Sequence, residues 1–207
     1  MNLWRIVLAT KNQGKIREIR ALLGDLGVEV ISLSDFANVP DVVEDSESFF
    51  ENALKKAKAI SEHTGEIVLA DDSGLEVEYL KGKPGVHSSR YSGADATDSA
   101  NIKKLLLNME GVPREKRSAA FRCVLVIYFP DGKYESFEGR LEGIVHDRPV
   151  GGGGFGYDPV FFLPDWGSTV AQIPIEVKNR ISHRAQAILK FKEAYRQKIL
   201  SAKTCIS

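Results

Sequence analysis

The apolar run Ile67-Val-Leu-Ala70 stops at two adjacent carboxylates, Asp71 and Asp72, followed by Ser73-Gly74. A lone carboxylate at the end of a buried strand is costly to desolvate. A magnesium ion carrying phosphates offsets that penalty, because hard cations take carboxylate oxygens. The plainer alternative is a solvated turn, since Asp, Ser and Gly are ordinary turn residues. Neighbouring strand residues point to opposite faces, so both aspartates reach one ion only if the strand ends between them. Ser73-Gly74 is read as the turn that ends it. Upstream lies an acidic run, Asp41, Glu44, Asp45 and Glu47. Most of it is expected to be solvated, with one carboxylate completing a magnesium site that the substrate phosphates share.

Three further stretches could carry chemistry. Thr10-Lys11-Asn12-Gln13-Gly14-Lys15 is predicted to join a strand to a helix. Backbone N–H groups and the helix dipole favour an anion there, and Lys15 adds a point charge for phosphate. It is not a Walker A loop, which is longer and ends in Gly-Lys-Ser/Thr; a plain polar turn is the alternative. The second stretch runs Gly151-Gly-Gly-Gly-Phe155-Gly156-Tyr157-Asp158-Pro159. Polyglycine is commonly a flexible loop, but aromatics beside glycines can stack on a flat base, and Gly156 lets backbone groups approach a base edge. The third is Lys178-Asn-Arg-Ile-Ser182-His183-Arg184. Ser182 is read as an N-cap, which puts His183 and Arg184 in the first helical turn. Cations there oppose the helix dipole, a conflict that an anion or acceptor ligand nearby would resolve. His63, His87 and His146 have no companions at ligand spacing and are read as structural or surface residues.

The elements that must position these residues follow from periodicity. Leu3 to Ala9 reads as a strand, Lys15 to Leu23 as a helix, and Val28 to Leu33 as a second strand. Ser48 and Glu51 form a capping-box pattern opening a helix with Phe49, Ala53, Ala57 and Ile60 inward. Ile67–Ala70 is a third strand and Leu75–Leu80 another. A helix is predicted from about Ser99 to Met109. Ala119–Phe129 and Tyr134–Val145 form a hairpin about Pro130-Asp-Gly132. The last helix is placed from about Ser182 to Leu200, with Ala185, Ile188, Leu189, Tyr195 and Ile199 inward. Helices alternating with strands before a long hairpin imply an α/β protein with a mixed sheet, read as one domain over residues 1–207.

The chain has 207 residues, with 28 Lys plus Arg balanced by 28 Asp plus Glu. That balance argues against a basic nucleic-acid groove or a polybasic membrane anchor. No apolar run approaches the roughly 20 residues of a membrane helix. The N-terminus carries Arg5 inside its apolar stretch and lacks a signal-peptide layout. Cys123 and Cys205 have no metal-ligand spacing and are read as reduced thiols of a cytoplasmic protein.

Taken in order, the runs Thr10-x-Asn12-x-x-Lys15, Ser48-Phe-x-Glu-Asn52, Ala70-Asp-Asp-Ser-Gly74, Pro84-Gly-Val-x-Ser-x-Arg-Tyr-Ser-Gly93, Gly153-Gly-Phe-Gly-Tyr-Asp-Pro159 and Ser182-His-Arg184 resemble the inosine triphosphate pyrophosphatase family. Its members hydrolyse non-canonical purine nucleoside triphosphates (ITP, dITP, XTP). The resemblance covers essentially the whole chain, and the ordered set is far more specific than any one run. Lys11 is a departure, standing where many relatives carry glycine.

The resemblance implies a twisted mixed β-sheet flanked by helices, with two lobes around a nucleotide cleft, usually in a homodimer. It implies magnesium-dependent hydrolysis to monophosphate and pyrophosphate, which removes deaminated purines from the nucleotide pool. Residues 10–15, Thr10 through Lys15 with Lys11, Asn12, Gln13 and Gly14, match the triphosphate cradle, and Lys56 is a further candidate. Glu44, Asp71 and Asp72 match the metal site, with Asp72 as proton acceptor for the attacking water and Asp71 supporting the metal; the reverse order is the alternative. Ser73 is expected to contact substrate. Arg184, which has only donors, and His183, which can donate, would pair with a 6-oxo group and leave adenine's amino group facing a donor. The 155–158 loop (Phe155, Gly156, Tyr157, Asp158) is the candidate for the 2-position, and Lys178 matches a substrate-binding lysine. A Maf-like pyrophosphatase for modified nucleotides and a nucleotide sensor without turnover are the competing readings.

Overall fold

The computed structural model describes residues 4–204, with side chains to Ile199. Cys205 and the predicted strand start at Leu3 lie outside the described residues. The strands are β1 (Arg5–Leu8), β2 (Glu29–Ser32), β3 (Ile67–Val77), β4 (Ser118–Tyr128), β5 (Tyr134–Val145), β6 (Phe161–Leu163) and β7 (Ser168–Thr169). The helices are α1 (Gln13–Leu23), α2 (Phe49–Thr64), α3 (Asp98–Asn108), α4 (Ile175–Ile181) and α5 (His183–Thr204). Among the described residues the strands form a seven-stranded mixed sheet in the order β2-β1-β3-β4-β5-β6-β7. β1 pairs in parallel with β2 and β3, while β6 is antiparallel to β5 and β7. Parallel neighbours require crossovers, and α1 and α2 supply them. The expected α/β class is the one observed.

Contacts divide the chain into two compact units: residues 4–72, 123–139 and 184–204 in the first, and residues 73–122 and 140–183 in the second. In the first, Ile16, Ile19 and Leu23 of α1 pack with Ile6, Leu8, Leu69, Leu125 and Ile127 of the strands. α5 adds Ile188, Phe191, Tyr195 and Ile199 to the same core. In the second, Leu75, Val77, Phe121, Val145 and Phe161 gather with Ile102 and Leu105 of α3. The Phe121 and Phe161 rings stack there at 4.3 Å.

Three expectations are corrected. Asp71 to Gly74 forms no turn: β3 runs unbroken through it. With β1 on one side and β4 on the other, this central strand is buried on both faces, from Val68 through Asp72 and again at Leu75 and Val77. Its ladder holds Ser73-Gly74 extended. Leu189, expected inward, is 55% exposed, and the sequence reading missed Phe191, which is fully buried. At 3.6 residues per turn, residue 191 shares the face of Ile188, while residue 189 lies a quarter-turn away. Finally, α4, β6 and β7 were not foreseen. Each is seven residues or fewer, too short to show a period. Ser48 caps α2 as expected, its Oγ accepting from Glu51 N–H.

Candidate active site

Residues 9–12 join β1 to α1. Asn12 is its N-cap, accepting from the Lys15 backbone N–H at 3.1 Å. Thr10 Oγ1 accepts from Asn12 N–H at 3.1 Å. The helical ladder starts with Ile16 N–H to the Asn12 carbonyl, so the N–H groups of Gln13 and Gly14 precede it and point out of the helix end. Lys15, in the first turn, places Nζ 3.1 Å from Asp71 Oδ2. Lys11 instead reaches out to Asp41 at 2.9 Å, both side chains well exposed. Such a pair contributes little.

Around β3 the two aspartates have separate environments. The Asp71 carboxylate is buried and accepts from Arg184 Nη2 at 3.0 Å and Nε at 3.3 Å, beside Lys15. Arg184 Nη1 reaches Glu18 Oε2 at 2.5 Å. Burial would raise the Asp71 carboxyl, but Lys15, Arg184 and Lys56 outweigh it and hold it well below the usual carboxylate range. Burial raises the Asp72 carboxyl above its ordinary value; Lys56 and Lys15 pull against that shift, while the like charge of Glu44 adds to it. Asp72 Oδ2 accepts from Asn52 Nδ2 at 3.0 Å. Lys56 Nζ donates to the Asp71 carbonyl at 2.8 Å and pairs with Glu44 at 3.2 Å.

Adjacent carboxyls pushed in opposite directions are the usual signature of a division of labour. Asp71 is a locked anion, whereas Asp72 carries a charge that its surroundings disfavour. Because β3 is regular across the pair, the stated condition for both to ligate one ion is not met. Among the described residues no group of three His, Cys, Asp or Glu side chains could hold a metal ion. Magnesium needs no such cage: one or two carboxylates with water and substrate phosphates are customary. Glu44 and Asp72 fit that use, since Glu44 raises Asp72 and a cation beside them would relieve both.

Arg184 was expected at a base edge. Instead it is 2% exposed, and its Nε, Nη1 and Nη2 all face carboxylates of the first unit. The paired anions also resolve the dipole conflict foreseen at the start of α5.

The second unit holds the other predicted residues. Lys178 is ion-paired with Asp158, both buried. Lys178 Nζ also lies 4.8 Å from the centre of the Phe155 ring. Asp158 accepts from Phe155 N–H at 2.9 Å, and Asp98 accepts from Gly156 N–H at 2.7 Å. Gly154 has φ +75°, and a Cβ there would meet Asp158 Oδ2 at 1.9 Å, so this turn requires glycine. Tyr157, expected near a base, is turned into the core; it is 4% exposed and donates to the Ser88 carbonyl at 2.9 Å. His183 is buried against Phe121, ring centres 4.9 Å apart. Ser73 is half-buried within β3.

Sequence reasoning gave no role to Glu18, Asn52 or Asp98, although Asn52 closes one of the matched runs. Glu18 lies between the inward Ile16 and Ile19, and Asn52 lies on the face of Phe49, Ala53 and Lys56. A polar residue on an apolar face was the available signal in both cases. Asp98 reads as an ordinary first-turn acid and gave none.

A profile of the Ham1 family matches residues 6–194. A Geobacter sulfurreducens protein named dITP/XTP pyrophosphatase is 52% identical over 91% of this chain and 95% of its own length. One of the same name from Bacillus licheniformis is 50% identical over 89% and 94%. Among solved structures, a Ham1 protein from Coxiella burnetii superposes with a TM-score of 0.86 at 39% identity, covering 94% of this chain and 100% of that one. The Staphylococcus aureus Ham1 protein gives 0.84 at 39% identity over 94% and 99%.

Proposed function

This chain belongs to the Ham1 family, and on that premise we propose the way its residues hydrolyse non-canonical purine nucleoside triphosphates (ITP, dITP, XTP) to monophosphate and pyrophosphate. The observation that carries the proposal is the cluster in which Lys15 meets Asp71, Lys56 meets Glu44 and the Asp71 carbonyl, and Asn52 meets Asp72.

Glu44 and Asp72 are the residues that would hold magnesium, which when bound neutralises charge on the triphosphate and on departing pyrophosphate. Asp72 accepts the proton of a water attacking the α-phosphorus. Asp71 is already held by Lys15 and Arg184, whereas Asp72 accepts from the neutral amide of Asn52, so Asp72 is the better placed of the two to act as base. Asp71 supports this indirectly, fixing Lys15 and Arg184. Lys15, Lys56 and the N–H groups of Gln13 and Gly14 meet the phosphate oxygens; Thr10 and Asn12 shape that turn and Lys11 lies at its margin. These groups stabilise the negative charge that phosphoryl transfer spreads over oxygens. Ser73 contacts substrate beside Asp72.

Base discrimination is assigned to the second unit. His183 donates to a 6-oxo group, while Phe155 and Gly156 form the face that Lys178, Asp158 and Tyr157 hold in place. Arg184 acts as an anchor for Asp71 rather than at the base edge. An adenine amino group facing a buried donor loses about 1–3 kcal/mol per mispaired contact, or roughly 5- to 150-fold. The same proposal includes a cytoplasmic homodimer, with residues 1–207 acting as one pyrophosphatase domain and with no nucleic-acid or membrane partner. The balance of 28 basic and 28 acidic residues supports the last point.

The test is a product assay with magnesium. Inosine, deoxyinosine, xanthosine, adenosine and guanosine triphosphates are supplied separately, beside modified pyrimidine triphosphates. Pyrophosphate and monophosphate, released mainly from the inosine and xanthosine substrates, are expected. Orthophosphate as the product, or a preference for modified pyrimidines, would contradict the reading.

A further inference from the structure

Asn52 is fully buried in the inward face of α2, between Phe49 and Lys56, although asparagine is a weak helix former. Both ends of its amide are engaged. Oδ1 accepts from Ser46 N–H at 3.0 Å. Nδ2 donates to the Ser46 carbonyl at 3.2 Å and to Asp72 Oδ2 at 3.0 Å. Turned over, the amide would set its oxygen against two acceptors and its NH₂ against a donor, so one orientation alone satisfies all three partners. The side chain therefore ties the acidic loop, two residues beyond Glu44, to the Asp72 carboxylate.

Lys56, one turn further along α2, touches the same loop and strand through Glu44 and the Asp71 carbonyl. Its link to Glu44 is an ion pair, for which a triphosphate and a divalent cation both compete. Asn52 itself is uncharged, so phosphate and cation do not compete for it as they would for Lys56.

We propose that Asn52 is a positioning residue for the hydrolysis: it holds the loop carrying Glu44 in register with Asp72 and fixes the rotation of the Asp72 carboxylate. It acts through Ser46 and Asp72 and touches neither substrate nor water. The inference rests on the roles given above to Glu44 and Asp72. Outer contacts that orient ligating carboxylates commonly matter 10- to 100-fold, which sets the expected scale.

Two variants of the full chain test it. Asn52→Ala removes all three bonds. Asn52→Asp keeps the size but sets an acceptor against the Ser46 carbonyl and Asp72. For both, kcat on inosine triphosphate is expected to fall about 10- to 100-fold, with KM within about three-fold and more magnesium needed for half-maximal rate. Independently of activity, amide exchange at Ser46 in Asn52→Ala is expected to quicken about ten-fold or more, while residues 54–60 of α2 keep their protection. An unchanged kcat in a folded variant, or an unchanged Ser46 rate, overturns the inference. So does exchange that quickens uniformly along α2 with kcat following the folded fraction, because Asn52 is then merely structural. If Asn52→Ala does not fold, the kcat and KM of Asn52→Asp decide. Failure of the unaltered protein to hydrolyse any purine triphosphate would sink the functional proposal itself, whereas intact hydrolysis in both variants sinks only the role of Asn52.

Discussion

At the scale of single residues, the two aspartates should part company under mutation. Asp71→Asn leaves Lys15 and Arg184 facing a neutral group in a buried setting, an imbalance that typically destabilises by about 3–5 kcal/mol. Urea titration should therefore show a large drop in midpoint. Asp72→Asn removes a charge that burial and Glu44 disfavour, so its melting temperature without magnesium should equal or exceed that of the parent. Its kcat should nevertheless fall about 10²- to 10⁴-fold, with triphosphate binding retained in calorimetry. The pH dependence follows with a definite sign. Asp71 is depressed in the folded state, so its contribution is complete above the unfolded value near 4 and fades as pH falls below it. The urea midpoint of the parent should accordingly drop more steeply below about pH 4 than that of Asp71→Asn.

At the scale of elements, α5 and β4 give two checks. Phe191 is fully buried among aromatic neighbours, Phe137 and Tyr195, and Phe191→Ala should cost about 3–5 kcal/mol. Leu189→Ala, on the exposed side, should stay within about 0.5 kcal/mol. Cys123 of β4 is buried, and burial with the nearby Asp71 charge pushes its thiol up to about 12. At pH 8 the folded protein should leave the Cys123 peptide unmodified by a thiol reagent, whereas urea should expose it. A raised folded value means stability is intact below the unfolded value near 8.5 and is lost as pH climbs towards 12. The same elements show what was readable from the chain. Helices with a sustained apolar face, such as α2, and long apolar strands, such as β4, were recovered because periodicity spans several turns or pairs. The continuity of β3 was hidden: Asp-Asp-Ser-Gly has turn chemistry locally, and only its neighbours in the sheet hold it extended. Likewise Lys15, Asp71 and Asp72 could be singled out as candidates from type and position, and the fold brings Lys15 to 3.1 Å from Asp71. That Arg184 would anchor Asp71 was not legible, because that pairing spans 113 residues of sequence and leaves no local trace.

At the scale of the whole molecule, metal and fold should be separable. Among the described residues no metal cage of three or more side chains contributes to either core, so EDTA should abolish turnover while leaving the thermal unfolding curve nearly unchanged; re-addition of magnesium should restore the rate. Hydrolysis between the α- and β-phosphates, with water activated at Asp72, is the central claim, and its most direct test follows the oxygen of that water. Inosine triphosphate is turned over once in ¹⁸O-labelled water and the products are resolved by mass spectrometry. Attack on the α-phosphorus puts the label in inosine monophosphate and leaves pyrophosphate unlabelled, which is the expected result. Label in pyrophosphate, or in released orthophosphate, would place the attack elsewhere and contradict the roles assigned to Asp72, Lys15 and Lys56.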